Sequence, residues 1–432
     1  MAKRAPGASQ TANHRRQRHG VRNEGLIEAF ARTTDDVVSL AEFRSLLDSG
    51  RKLRIKFGAD VTAPFLHLGH AVNLWMMRQM QERGHLVQFL IGDFTTLVGD
   101  PTGRDAARAA RTQADIERDA ESFIRQVGSI LITDDPGLFE VRRNSEWWAG
   151  KPLAEFIGLL GGVTAARLSS RDMFRARAEA GLEVRASELV YPVLQGWDSV
   201  ELRSDVTIVG SDQLFNESMG RFFQEKAGMR PQVIVTSRIT PGLDGVKKQS
   251  KSLGNFIALG DSPREAFGKA MSLPDGLVVQ WAEVYTTMSM ERVRELESGM
   301  ASGRTNPRDA KLELAGAIVE RHHGKAAAAA EREWFEATFS RRDFPADAPA
   351  VAVRAGCVSA IELLGSLGTG LSKSELRRLI AEGAVEIGGT RPGAADDIIA
   401  IMAGAELRAR IGRRRFALLR ADGEAESRGS RG

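Results

Sequence analysis

The sequence predicts an α/β protein: a domain built on a parallel sheet, a helical domain after it, and a small separate unit at the end. Three observations lead there. Residues 53–92 read strand, loop, helix, strand within about 40 residues, which is a βαβ unit. Residues 263–337 carry an almost unbroken helical pattern of apolar residues. A polar stretch with two prolines, 338–352, then sets off a last unit at 353–420. The 432 residues accommodate about three domains at roughly 150 residues each.

Taken in order, residues 1–24 are rich in Arg, Ala, Gln and Gly and nearly lack large apolar side chains, so a disordered basic tail is expected. The first domain is expected over 25–262. Residues 25–48 show helical spacing (Leu26, Ile27, Phe30, Val37, Val38, Leu40, Phe43, Leu46, Leu47). Leu53 to Phe57 reads as a strand, 58–69 as a loop carrying Pro64, and Ala71 to Glu82 as a helix ended by Gly84. Leu86 to Gly92 is apolar apart from Gln88, as a strand buried on both faces should be. Later strands are expected at Val206–Val209 and Val233–Ile239, and helices over much of 105–130, 152–160 and 187–200. The helical domain is expected at 263–337, with Asp309–His322 and Lys325–Ala337 among its helices. A linker at 338–352, the unit at 353–420 and a polar tail at 421–432 complete the chain, and no internal repeat is present.

Composition narrows the function classes. The chain is 42% hydrophobic and 27% charged, ordinary for a soluble globular protein. The single cysteine, Cys357, excludes a disulfide framework and a thiolate zinc cluster. Apolar runs such as Leu86–Gly92 are far too short to span a bilayer, and the basic N-terminus lacks a signal peptide's apolar segment, so a cytoplasmic location is expected. The net charge of +4 conceals an uneven distribution: +6 in residues 1–22 and +3 in 354–432, leaving −5 for 23–353. Basic ends on an acidic body suit a polyanion held by peripheral elements, or are simply solvated.

Two motifs carry chemistry. Pro64-Phe-Leu-His67-Leu-Gly69-His70-Ala falls where the first strand's C-terminal end meets the next helix, the crevice where open α/β sheets bind ligands. A helix N-terminus there offers N–H groups and a positive dipole end to a phosphate. His67 and His70, three apart, share a helical face, and Gly69 lets a flat group approach the backbone. A metal pair would need a third ligand, and none offers itself. The second motif, Gly245-Val-Lys247-Lys248-Gln249-Ser250-Lys251-Ser252-Leu-Gly254-Asn255, is a basic loop suited to a triphosphate, although it is not a P-loop.

Together, His-Leu-Gly-His after a first strand and Lys-Gln-Ser-Lys-Ser further on resemble the signature pair of class I aminoacyl-tRNA synthetases. Lys56-Phe-Gly-Ala-Asp60, Gly92-Asp-Phe-Thr95, Gly99-Asp100-Pro-Thr-Gly103-Arg104, Tyr191-Pro-Val-Leu-Gln195-Gly-Trp-Asp198 and Gly210-Ser-Asp212-Gln213 narrow the resemblance to the tyrosyl-tRNA synthetases. It implies a Rossmann-like catalytic domain for ATP and amino acid, an α-helical anticodon-binding domain and a small α+β RNA-binding domain. The last resembles the alpha-L module through Leu371-Ser-Lys373-Ser-Glu-Leu-Arg377-Arg378 and Gly383-Ala-Val-Glu-Ile-Gly388. The resemblance further implies L-tyrosine, ATP with Mg²⁺, and tRNA(Tyr) as substrates, and a homodimer.

Roles follow by the same resemblance. His67, His70, Lys248, Lys251, Arg104 and Arg108 act on the phosphates. Asp60, Gly69, Gly210, Asp212, Gln249 and Ser250 face the nucleotide. Thr95, Asp100, Tyr191, Gln195 and Gln213 hold the amino acid's polar end, with Asp198 and Lys56 toward the phenol. Lys373, Arg377, Arg378, Arg413, Arg414 and Arg415 meet tRNA. The sequence also departs from the family's pattern. Val61 stands where proline is usual, Val209 where glycine is, Gln249 where an apolar residue is, and Gly196-Trp197 where Ala-Tyr is. Two other readings therefore stand beside a tyrosine–tRNA ligase: a paralogue serving another amino acid or a specialised pathway, and an RNA-binding protein without activity.

Overall fold

The computed structural model describes residues 25–62, 64–101, 112–250, 253–340, 344–345, 348–412 and 415–422. The tails, Arg104, Arg108, Lys251, Arg413 and Arg414 lie outside the described residues. The chain divides into two units, Met1–Ala328 and Ala329–Gly432, so most of the expected helical domain groups with the sheet.

The first unit holds a six-stranded sheet formed by β1 (Thr34–Val38), β2 (Arg54–Asp60), β3 (Leu86–Gly92), β4 (Phe139–Arg143), β5 (Val206–Gly210) and β6 (Val233–Ser237). The spatial order is β1-β6-β5-β2-β3-β4. All neighbours are parallel except β1, which pairs antiparallel with β6. Strand β1 corrects the helical reading of 25–48: helices occupy 25–31 and Leu40–Asp48, with the strand between them. Its two adjacent valines meet Val235 and Ile234 across the sheet, and this pairing outweighs a helical period. Strand β2 also runs three residues further than expected, because Gly58–Asp60 pair with Leu90–Gly92. Strand β4 was not expected at all.

The order reverses beside β2, since the chain proceeds outward through β3 and β4 and then returns to β5 on the other side. Ligands bind at such a reversal, outside the carboxyl ends of the strands. Here the two halves also separate: β2 pairs with β3 along its whole length, but with β5 only at Ile55–Val206 and Lys56–Thr207. Beyond Lys56 the strands part and a cleft opens.

Five helices frame that cleft: α1 (Leu68–Gln81), α2 (Asp93–Val98), α3 (Gln113–Val127), α4 (Ala186–Glu201) and α5 (Leu214–Lys226). Helices α4 and α5 pack closely at Gly196, where a Cβ would come within 2.8 Å of Met219 Cβ and 2.9 Å of its carbonyl carbon. The helical stretch continues with α6 (Pro263–Met271), α7 (Val278–Tyr285), α8 (Met290–Ala301), α9 (Pro307–His323) and α10 (Lys325–Phe335). Trp281 and Tyr285 of α7 are fully buried. No described helix is long and apolar enough to cross a membrane.

The second unit contains β7 (Ala350–Val353), β8 (Gly356–Ser359), α11 (Ala360–Ser366), α12 (Lys373–Ala381), β9 (Val385–Ile387), β10 (Ile398–Ile401), β11 (Glu406–Ile411) and β12 (Arg415–Ala421). A four-stranded sheet in the order β7-β12-β11-β9 and both helices enclose a core that includes Leu364, Leu376, Ile380 and Leu419. The expected linker at 338–352 is partly built into this unit. Strand β7 pairs with β12, and Trp334, Phe339 and Phe344 gather around Phe416 with ring centroids 5.8–6.4 Å away. Its polar composition hid two phenylalanines that need a surface to cover them.

Candidate active site

The cleft encloses about 1070 Å³. Every described residue named above for nucleotide or amino acid lines it. Asp60, Gly92, Gly210 and Ser237 stand at the ends of four successive parallel strands, so backbone geometry alone brings these distant residues together.

His67 caps α1. Its Nδ1 accepts from the Gly69 amide at 3.1 Å, and His70 Nδ1 accepts from the His67 amide at 3.2 Å. Both Nδ1 atoms being acceptors, each ring carries its proton on Nε2. The rings lie 4.0 Å apart. A Cβ on Gly69 would sit 2.9 Å from the His67 ring, so glycine is required for this cap. The amides of Leu68 and Gly69 are already used, the former by Ile257 O at 3.0 Å. This corrects the expectation of an N-terminus whose amides are open to a phosphate.

On the opposite wall, Lys248 Nζ donates to Asp212 Oδ2 at 2.6 Å. Its loop is stitched by Asn255, whose Nδ2 donates to Asp244 Oδ2 at 2.7 Å and whose Oδ1 accepts from the Ser250 amide at 2.9 Å. Gln249, also in the cleft lining, is 8% exposed and its Nε2 donates to the Tyr285 hydroxyl at 2.7 Å.

The other end of the cleft is acidic. Asp60 accepts from Thr95 Oγ1 at 2.8 Å and from the Tyr191 hydroxyl at 3.1 Å. Removal from solvent, and then the neighbouring Asp100, push its pKa up to about 7. Asp100 accepts from Gln213 Nε2 at 2.8 Å. Two carboxyls this close favour a cation between them. Gly92 makes room here, since a Cβ would lie 2.5 Å from both Asp60 Oδ1 and Thr95 Oγ1. Gln195, in the cleft lining, donates to Glu217 Oε1 at 2.8 Å and accepts from Asn216 Nδ2 at 3.0 Å.

Asp198 is 2% exposed. Its Oδ1 accepts from the indole N–H groups of Trp147 and Trp148, both at 2.9 Å, and its Oδ2 from Asn144 Nδ2 at 3.3 Å. Burial raises its pKa to about 7 against the opposing effects of Lys56 and these three donors. Asn144 also donates to Thr95 Oγ1 at 2.9 Å, so a chain of hydrogen bonds joins Asp198 to Asp60. Lys56 forms a fully buried pair with Glu217 at 2.7 Å and donates to Ser199 Oγ at 2.8 Å.

Known proteins resemble this chain over most of its length. Residues 48–340 match the family of class I tRNA synthetases (W and Y), and the tyrosine–tRNA ligase of Moorella thermoacetica is 43% identical over 380 residues, 88% of this chain and 91% of that protein. The chain belongs to this class I synthetase family. The tyrosine–tRNA ligase of Thiobacillus denitrificans is 41% identical over 396 residues, 91% of this chain and 98% of its own. Among solved structures, a C-terminally truncated mitochondrial tyrosyl-tRNA synthetase of Aspergillus nidulans shares the fold, with a TM-score of 0.58 and 22% identity over 76% of this chain and all of that one.

Within this synthetase, several of the departures noted above have local partners. The Val61 amide donates to Thr96 Oγ1 at 2.8 Å, a bond proline could not make. Trp197 lies outside the cleft lining, donates to Glu201 at 2.7 Å and packs on Phe223. Val209 does line the cleft. Sequence reasoning missed Asn144, Trp147, Trp148, Glu217 and Tyr285. The first three follow β4, an edge strand with only Phe139 and Val141 apolar, so no periodic signal announced them. On the second unit Lys373, Arg377, Arg378 and Arg415 are all exposed.

Proposed function

We propose that this chain activates L-tyrosine with ATP and passes the tyrosyl group to tRNA(Tyr). The tyrosine carboxylate attacks the α-phosphate, pyrophosphate leaves, and the terminal ribose hydroxyl of the tRNA then displaces AMP. No side chain needs to be a covalent nucleophile, so the protein contributes positioning and charge stabilisation. His67 and His70 present Nε2–H donors to the phosphates. Lys248 exchanges Asp212 for pyrophosphate oxygens as ATP arrives, and Mg²⁺ enters with ATP as part of the substrate. Asp60 and Asp100 attract the α-ammonium, with Thr95 and Tyr191 orienting Asp60.

The observation that carries the reading is Asp198, a buried carboxyl pinned by two indoles and an asparagine at the edge of the cleft. Such a group pairs with a phenol hydroxyl and is stranded by phenylalanine, which is how a site separates the two strongly. Arg377, Arg378 and Lys373 on α12, with Arg415, suit RNA phosphates rather than bases. A homodimer and a cytoplasmic setting complete the proposal. ATP–pyrophosphate exchange tests it across the standard amino acids: exchange should depend on tyrosine and far exceed that with phenylalanine, and equal or absent exchange with tyrosine sinks it.

A further inference from the structure

Helix α7 lies outside every motif singled out from the sequence, yet two of its side chains, one turn apart, hold both sides of the lysine loop. Trp281 Nε1 donates to Pro241 O at 3.1 Å, and Pro241 forms a backbone bridge with Lys248. The Tyr285 hydroxyl accepts from Gln249 Nε2 at 2.7 Å and shares a second hydrogen bond with Thr240 Oγ1, 2.5 Å away. Tyr285 is 1%, Thr240 2% and Gln249 8% exposed, so each polar group depends on the others for its partner.

Burial raises the Tyr285 pKa, which keeps the hydroxyl neutral. Gln249 Oε1 has no hydrogen-bond partner among the described residues. An apolar side chain would avoid that orphan, so what glutamine adds at this position is the bond from Nε2. Lys248 and Gln249 are neighbours whose side chains diverge: one meets Asp212 across the cleft, the other meets α7.

We propose that Gln249 is a positioning residue, tying the lysine loop to Tyr285 of α7 and thereby fixing where Lys248 can meet the phosphates of ATP. The inference rests on the proposed function for the role of Lys248, but the tie itself does not. The test uses Gln249→Met, Tyr285→Phe and the double variant in the full chain. In the unliganded protein, amide hydrogen exchange over residues 243–256 should quicken about three- to tenfold in either single variant, the worth of one neutral hydrogen bond. The double variant should be no faster than Tyr285→Phe alone, because that variant already removes the Gln249 bond along with the Thr240 bond. Unchanged exchange, or effects that multiply in the double, overturns the tie. In ATP–pyrophosphate exchange, kcat/KM for ATP should fall by a similar factor while KM for tyrosine stays within about twofold. A parallel rise in the tyrosine KM would mean general loosening and overturn the positioning role. If the wild type shows no tyrosine-dependent turnover, the proposed function fails, and hydrogen exchange still decides the tie.

Discussion

Asp60 and Asp198 are carboxyls that burial in the cleft holds partly protonated near neutrality, both with pKa values near 7. In the unfolded chain each returns to the ordinary carboxylate value of about 3.9. A raised folded value means that the native state binds more protons between those limits, so the stability these two groups contribute is fully present below about pH 4 and is lost as pH rises through about 7. Asp198→Asn keeps an oxygen for the two indoles but cannot ionise. Urea unfolding should show that variant gaining on the wild type as pH rises from 5 to 8. Binding reverses the sign, because the amino acid's ammonium needs Asp60 ionised. KM for tyrosine should therefore fall as pH rises through about 7, and Asp60→Asn should flatten that profile in steady-state exchange assays. Both residues stood out in the sequence as motif members. Their raised pKa values did not, because these depend on burial and on neighbours such as Asp100, Thr95, Asn144 and the tryptophans, which only the fold assembles.

The helix pair α4–α5 shows how a departure from a family pattern becomes intelligible once packing is known. Gly196 faces Met219 backbone at a distance that leaves no room for a methyl group. Gly196→Ala should cost about 1–3 kcal/mol by overpacking, measured as a lower urea midpoint with an unchanged slope. Val193, Met219 and Phe223 form one buried cluster across this seam, so α4, which carries Tyr191 and Asp198 into the cleft, should shift and raise KM for tyrosine as well. The strongly periodic elements β3 and α1 were legible from the sequence because their burial pattern is continuous. Strands β1 and β4 lie at the sheet's two edges, where half the residues face outward and apolar periodicity fades. Cap chemistry was equally hidden. That His67 would spend its Nδ1 on its own helix follows from backbone angles, not from residue type.

At the scale of the molecule, the two units invite cutting, and the place of the cut matters. Removing residues 353–432 strips β12 from the aromatic side chains at 334–344 that gather on Phe416. Ending the chain at Ala328 follows the boundary between units. The shorter product should be the more soluble, with tyrosine-dependent exchange retained and tRNA charging weakened. The longer product should aggregate, through newly exposed apolar surface. Gel filtration with both assays checks this, and equal loss of exchange and charging in the shorter product would make the second unit a structural necessity. The basic character of that unit was readable in residue counts, whereas the ownership of 338–352 was not, since two phenylalanines carry little weight in a polar stretch.

The two rungs shared by β2 and β5 give the catalytic sheet a seam that the backbone hardly closes. In the cleft wall the buried Lys56–Glu217 pair ties β2 to α5, the helix that follows β5; beyond it, whatever occupies the cleft is itself a fastening. A bound substrate therefore acts as a missing piece of tertiary structure, and its affinity is counted in the stability of the fold. Tyrosine at a hundred times its dissociation constant should raise the unfolding free energy by about 2.7 kcal/mol, readable as a rise in Tm. Phenylalanine at the same concentration, stranding Asp198, should leave the seam nearly as open as in the empty protein.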